Sequence, residues 1–174
     1  MANSSIITDL KNAIIKEIIN DEALFHAIGS PDIDSVEDAD SLVNENIFTY
    51  HQNPETILKS ETFLTIQVHI PKTYDRSKVL VKPELEIWII SHQKHMKVDN
   101  VPKIIDNRND YISKLLDAKF NGRNVLGGSS KSRNNLHLCG SLKLVSNIEG
   151  AFNSDFLYRR MIFETVDVND SVCG

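Results

Sequence analysis

Apolar residues at the head of the chain recur at spacings of three and four. Ile6, Ile7, Leu10, Ile14 and Ile18 share one side of a helical wheel, with Lys11, Lys16 and Glu17 on the others. Ser4 or Ser5 is the expected cap of this helix. The stretch NDEALFHAIGSP adds one or two helical turns, ended by Gly29 and Pro31. The period then changes to two. In ETFLTIQVHI, Leu64, Ile66, Val68 and Ile70 point one way and Thr65, Gln67 and His69 the other, so this strand covers a core with one face and stops at Pro71. In ELEIWIISHQ, Leu85, Ile87 and Ile89 line one face while Trp88 and Ile90 line the other, so both faces must be covered at least in part. The polar connection KTYDRSKVLVKP makes the two strands neighbours joined by a long hairpin arm over 71–83.

A second helix is expected within VPKIIDNRNDYISKLLDAKFNGR. Pro102 suits an early position, Asn107 or Asn109 a cap, and Asn121-Gly122 a stop. Ile112, Leu115, Leu116 and Phe120 form its buried stripe. SLKLVSNIEG and DFLYRRMIFETVDV then read as two strands joined by the turn EGAFNSD. The order α-β-β-α-β-β predicts an α+β fold in which helices pack on a small mixed or antiparallel sheet. No internal repeat is visible. A single domain is expected over 1–174, with an N-terminal helical segment over 1–30, an acidic loop region over 31–60, an α+β core over 61–168 and a tail over 169–174.

Composition narrows the function. With 174 residues, 41% hydrophobic and 25% charged, the chain can bury a core without metals or disulfides. Asp and Glu number 24 against 19 Lys and Arg, a formal net charge of −5, which argues against extensive wrapping of DNA. The two cysteines, Cys139 and Cys173, match no disulfide framework or metal knuckle and read as free thiols in a reducing compartment. Charged residues interrupt the apolar N-terminus, and no run of about 20 apolar residues occurs, so a soluble, intracellular product is expected.

Candidate chemistry fails on detail. The loop over 121–135, with Gly122 and Gly127 at the separation of a phosphate-binding loop, has Gly128 where the lysine belongs, and it leaves a helix for a strand rather than the reverse. The acidic run Asp32, Asp34, Glu37, Asp38 and Asp40 lacks the glycine and terminal glutamate of a calcium loop and reads as solvated. His92 and His95, or His137 and Cys139, could pair as metal ligands, but no zinc spacing ties the pairs together. GxSxG and HExxH are absent. Arg159 and Arg160 lie on a strand and face opposite ways, suiting ion pairs better than a substrate clamp. No cofactor, metal site or catalytic residue is assigned.

Three segments in order, ENIFTYHQNPETILKSETFLTIQVHIPK, LEIWIISHQKHMKV with RNDYISKLLDAKFNGR, and GSLKLVSNIEGAFNSDFLYRRMIFETVDV, resemble small head–tail module proteins of tailed bacteriophages and prophages. The element order is similar to that of tail-terminator and tail-completion proteins over roughly residues 45 to 168. The resemblance implies a structural virion protein at the head–tail joint. It would form a homo-oligomeric ring, commonly a hexamer, that caps the tail tube protein and docks to the head-side connector. DNA would pass through the lumen without sequence-specific reading, and no membrane is involved. Lys78, Arg76 and Tyr74 on the arm, with Arg123, Lys131 and Arg133 in the 121–135 loop, would then be subunit or partner contacts. The acidic 31–47 stretch has no place in that pattern. The readings left open beside it are a head-closure or adaptor neck protein, an adaptor domain unrelated to phage, and a small metal-dependent enzyme using His92, His95, His137 and Cys139.

Overall fold

The fold is taken from a computed structural model that describes residues 4–29, 39–54, 61–71, 73–74, 80–98, 106–127, 135–165 and 167–168, with only the backbone at 4, 73–74, 80–81 and 167–168. Two helices open it, α1 (Ser4–Ile19) and α2 (Glu22–Ile28). Asp21 caps α2 by accepting a hydrogen bond from the Leu24 amide at 3.2 Å. The third helix, α3 (Arg108–Phe120), is capped by Asn107, whose side chain accepts from the Asp110 amide at 2.9 Å and donates to the Asp110 carboxylate at 2.8 Å. It stops at Asn121 because Gly122 adopts φ +85°, a conformation that favours glycine.

The main sheet has the order β1-β2-β5-β9-β8, formed by β1 (Ile47–Phe48), β2 (Thr62–His69), β5 (Glu84–His92), β8 (Lys143–Ala151) and β9 (Phe156–Glu164). β1 runs parallel to β2 and every other pair is antiparallel, so the sheet is mixed. The expected arm over 71–83 contains β3 (Thr73–Tyr74) and β4 (Leu80–Val81), which join β10 (Asp167–Val168) in a second small sheet. β6 (Val125–Leu126) pairs with β7 (Leu136–His137) at the base of the glycine-serine loop. These two-residue strands are too short to leave a period in the sequence.

Helices cover one face of the sheet. Leu64, Ile66, Leu85, Ile87, Ile89, Met161 and Phe163 pack there against Leu10, Ile14 and Ile18 of α1, Leu24 and Phe25 of α2, and Ile112, Leu116 and Phe120 of α3. Burying one such side chain stabilises the fold by about 1.5–3 kcal/mol. The α+β architecture therefore follows from the two periodicities that the sequence displays.

Three expectations need correction. The 31–47 stretch is not simply a solvated loop: Ala39, Leu42 and Ile47 are buried in the main core, and Asp40–Leu42 forms a 3-10 turn leading to β1. Those three apolar residues outweigh their acidic surroundings, whereas 31–38 lie outside the described residues. β2 also covers more than one core, since Phe63 and Thr65 on its second face are fully buried. Phe63 joins Phe48, Ile90 and Phe156 in a smaller cluster on the side away from the helices. Leu115 is only partly buried beside the main core.

Candidate interaction face

The face of the sheet turned away from the helices carries the most concentrated polar and aromatic chemistry. Strand register sets its rows. Phe63, Ile90, Tyr158 and Gly150 form one, followed by Thr65, Trp88, Arg160 and Ile148, and then by Gln67, Glu86, Ile162 and Ser146. The alternation that sends Leu85, Ile87 and Ile89 into the helical core necessarily places Glu86, Trp88 and Ile90 here.

Glu86 is the hub of this face. Its side chain is 11% exposed, and one carboxylate oxygen accepts from Arg160 Nε and, at 2.6 Å, from Trp88 Nε1. The other lies 3.3 Å from His69 Nε2. Burial pushes the carboxyl upward in pKa, but the hydrogen bonds from Arg160 and Trp88 and the charges of Arg160 and His69 together hold it below the usual carboxylate value. The hydrogen bond to Glu86 in turn raises the Arg160 guanidinium despite its partial burial. The Arg160 guanidinium carbon sits 5.4 Å from the centroid of the Trp88 ring, a cation–π arrangement.

Aromatic rings extend the patch. Trp88 and Tyr158 have centroids 4.8 Å apart, and His51 meets the Trp88 edge at 5.9 Å. Tyr158 lies directly over Gly150, where an added Cβ would stand 2.6 Å from the tyrosine hydroxyl oxygen. Glycine at 150 therefore lets the Tyr158 ring lie flat across β8. Trp, Tyr and Arg held rigid on a strand scaffold are the side chains that anchor protein interfaces.

The opposite face of the same ladder holds Arg159. Its guanidinium pairs with Asp110 at the start of α3, with Glu149 at 3.0 Å and with Asn147 at 3.0 Å, fastening the β8–β9 hairpin to the helix. The two arginines do face opposite ways, and both form ion pairs, as the strand pattern predicts. Asn109, the other candidate cap, is buried, accepting from Ser91 Oγ at 2.6 Å and donating to the Leu157 carbonyl at 3.2 Å.

The expected contact residues are scattered by comparison. Arg123 is forked onto the buried Glu17 at 3.1 and 3.2 Å, where Lys119 at 3.4 Å and the Gly127 amide at 3.0 Å also converge. Its guanidinium thus ties the start of the 121–135 loop to α1. Tyr74 lies in β3, with its side chain outside the described residues, as are Arg76, Lys78, Lys131 and Arg133.

His92, His95, His137 and Cys139 do not converge as a metal centre. The His92 ring accepts from the Lys94 amide at 3.1 Å, while His95 Nδ1 lies 3.1 Å from Thr62 Oγ1. His137 lies on β7, and Cys139 is an exposed thiol. Among the described residues no group of three or more His, Cys, Asp or Glu side chains is placed to hold a metal ion. No described helix is long and apolar enough to cross a membrane.

The alternation of β5 shows that its Trp88 side must be covered, but no sequence pattern singles out Glu86, Tyr158 or His51. The available signal was Glu86 and Trp88 two apart, with Leu85, Ile87 and Ile89 alternating between and beside them. Their partner Arg160 comes 72 positions after Trp88 in the chain, and only the β5–β9 register brings it into contact.

No curated protein and no solved structure matches the chain. The YomW family model matches residues 12–165, a span that takes in the second half of α1 and all five strands of the main sheet. The chain with this aromatic, ion-paired sheet face thus belongs to the YomW family, a phage- and prophage-associated family.

Proposed function

We propose that this protein is a non-enzymatic assembly subunit of a phage particle, acting at the head–tail joint as a ring-forming tail terminator. It caps the tail tube and docks to the head-side connector, and DNA passes through the ring without being read. The observation that carries this reading is the sheet face built on Trp88, Arg160, Glu86 and Tyr158. Those side chains form a rigid surface suited to protein contact rather than to turnover of a substrate. The phage association of the family and the order of helices and strands support the same reading. An acidic subunit suits a channel for DNA, because like charge keeps the polymer from adhering.

Within this proposal the subunit works by contact. The arm over 71–83 and the loop over 121–135 engage neighbours in the ring, and the open sheet face seats on a tail or neck partner. The test is deletion of the gene from the phage, with electron microscopy of the resulting lysate. Tails of uncontrolled length beside unjoined heads are expected, and wild-type protein restores normal particles whereas Trp88→Ala protein does not. Normal virions without the gene overturn the proposal. Tails of normal length beside heads that lose DNA would instead assign the protein to head closure.

A further inference from the structure

We propose that two copies of this chain pair through the outer edge of β8, antiparallel and about a two-fold axis at Ile148. This inference rests on the strand itself and stands whether or not the head–tail reading is right.

β8 is the last strand in the order β1-β2-β5-β9-β8, so one of its edges has no strand beside it among the described residues. The start of that edge is occupied. The Leu142 amide donates to the Arg123 carbonyl at 2.8 Å, the Gly122 amide to the Leu142 carbonyl at 2.7 Å, and the Leu144 amide to Asn121 Oδ1 at 3.1 Å. Among the described residues the open stretch therefore runs over 145–151, and its middle residue is Ile148. Of the devices that natural proteins use to blunt an edge, that stretch has only the irregularity at Val145 and the charge of Glu149: it holds no proline and no lysine.

The side chains there are unusual for a free surface. Val145 is 51% exposed and Ile148 47%, and with Tyr50 they are the large hydrophobic residues that stand exposed among the described residues. At the other edge of the sheet, β1 is only two residues long and too short to continue a ladder with β8 of a neighbour. A second β8 is the matching partner.

Charge and polarity select the register. Centred on Ile148, the pairing sets Ile148 against its own copy, Asn147 against Glu149, Ser146 against Gly150, and Val145 against Ala151. Apolar residues meet apolar residues, and an amide meets a carboxylate. Shifting the centre to Glu149 would oppose two like charges, which is unfavourable. Glu149 is 73% exposed and already held by Arg159 of its own chain, so the carboxylate is positioned at the seam before any partner arrives. Such pairing is isologous and would join two main sheets into one, with the Trp88–Arg160–Ile148 row running across the junction.

Cysteine cross-linking tests the register in a chain carrying Cys139→Ser and Cys173→Ser. Directly opposed Cα atoms in an antiparallel pair lie about 4.5–5.5 Å apart, within reach of a disulfide. Ile148→Cys is thus expected to yield disulfide-linked dimers on mild oxidation. Ser146→Cys, whose two copies would sit about 14 Å apart, is expected to yield none above background. Both positions are at least partly exposed, and circular dichroism of the reduced proteins checks that the fold is kept. Native mass of the unmodified chain should show dimers, or even-numbered multiples, that dissociate on dilution, and Ile148→Lys should remove that association. Cross-linking in neither cysteine variant, or equally in both, overturns the proposal, as does association unaffected by Ile148→Lys.

Discussion

Arg160 stands directly opposite Trp88 across the β5–β9 ladder, and its guanidinium caps the indole while donating to Glu86. One side chain thus satisfies a largely buried carboxylate and fixes the largest ring on the open face. Removing it leaves Glu86 with Trp88 and His69 as partners and loses the cation over the ring. Because Arg160 is a third exposed, at 33%, solvent screens much of the pair's Coulomb energy. Arg160→Ala is expected to lower stability by about 1–2 kcal/mol, less than for a fully buried ion pair. Urea denaturation at neutral pH measures the change.

The conformation of Tyr158 depends on the missing side chain at Gly150. A methyl group there would meet the tyrosine hydroxyl at 2.6 Å, so the ring must swing away from β8. The ring is the far end of a flexible side chain, and the backbone can stay in place. Gly150→Ala is therefore expected to leave the fold intact and to move stability by less than about 1 kcal/mol. Its signature is optical. Trp88 is the sole tryptophan in the chain and packs 4.8 Å from Tyr158, so its emission should change in intensity and maximum. Unchanged tryptophan emission in a folded Gly150→Ala protein would contradict the placement of the tyrosine.

Helix–sheet packing gives a larger expected effect. Phe120 at the end of α3 is fully buried and meets Phe163 of β9 edge to face, with centroids 6.3 Å apart. Truncation removes apolar burial and leaves a cavity that the sheet cannot close. Phe120→Ala is expected to destabilise the protein by about 3–5 kcal/mol, close to the whole stability of many domains. Thermal unfolding would show a drop of many degrees. A change near zero would mean that α3 does not dock through this residue.

How much of this was legible in the sequence varies element by element. Ile112, Leu116 and Phe120 repeat at the helical period, and Leu85, Ile87 and Ile89 at the strand period, so the main core and the α+β class could be read directly. Gly122 as a stop was equally legible, because local backbone chemistry decides it, whereas the cap was narrowed only to Asn107 or Asn109, of which the fold uses Asn107 and buries the other. β1 was not, since two residues cannot establish a period, and acidic neighbours disguised the burial of Ala39, Leu42 and Ile47. The open face was half legible. Trp88 demanded cover on its side of β5, but its contacts with Arg160 and Tyr158 arise from strand pairing across long stretches of chain. Arg123 shows the same limit: a basic residue beside a glycine-rich loop looked available to a partner, and the fold gives it to Glu17, 106 positions away.

That Glu17 cluster sets an acid limit on stability. Burial raises the Glu17 carboxyl, but hydrogen bonds from Arg123 and the Gly127 amide, with the charges of Arg123 and Lys119, outweigh it and hold the group below its ordinary value of 4.5. Glu86 is held low in the same way by Arg160 and Trp88. A carboxylate with a depressed folded-state pKa binds fewer protons folded than unfolded over that range, so its stabilisation is complete above the ordinary value and is lost as pH falls through the folded value. Thermal midpoints should therefore stay level with respect to these two groups above about pH 5 and decline below it. Glu17→Gln should do two things. At neutral pH it should cost about 1–3 kcal/mol, because the Arg123 fork loses its charged partner while Lys119 keeps Asp21 at 2.8 Å. Below pH 4.5 the gap between variant and wild type should narrow, since the unfolded wild-type chain takes up a proton at Glu17 that the folded carboxylate still resists. Unfolding followed from pH 7 to pH 3 for both proteins reads the two effects together, and a gap that stays constant or widens in acid would contradict the depressed carboxyl.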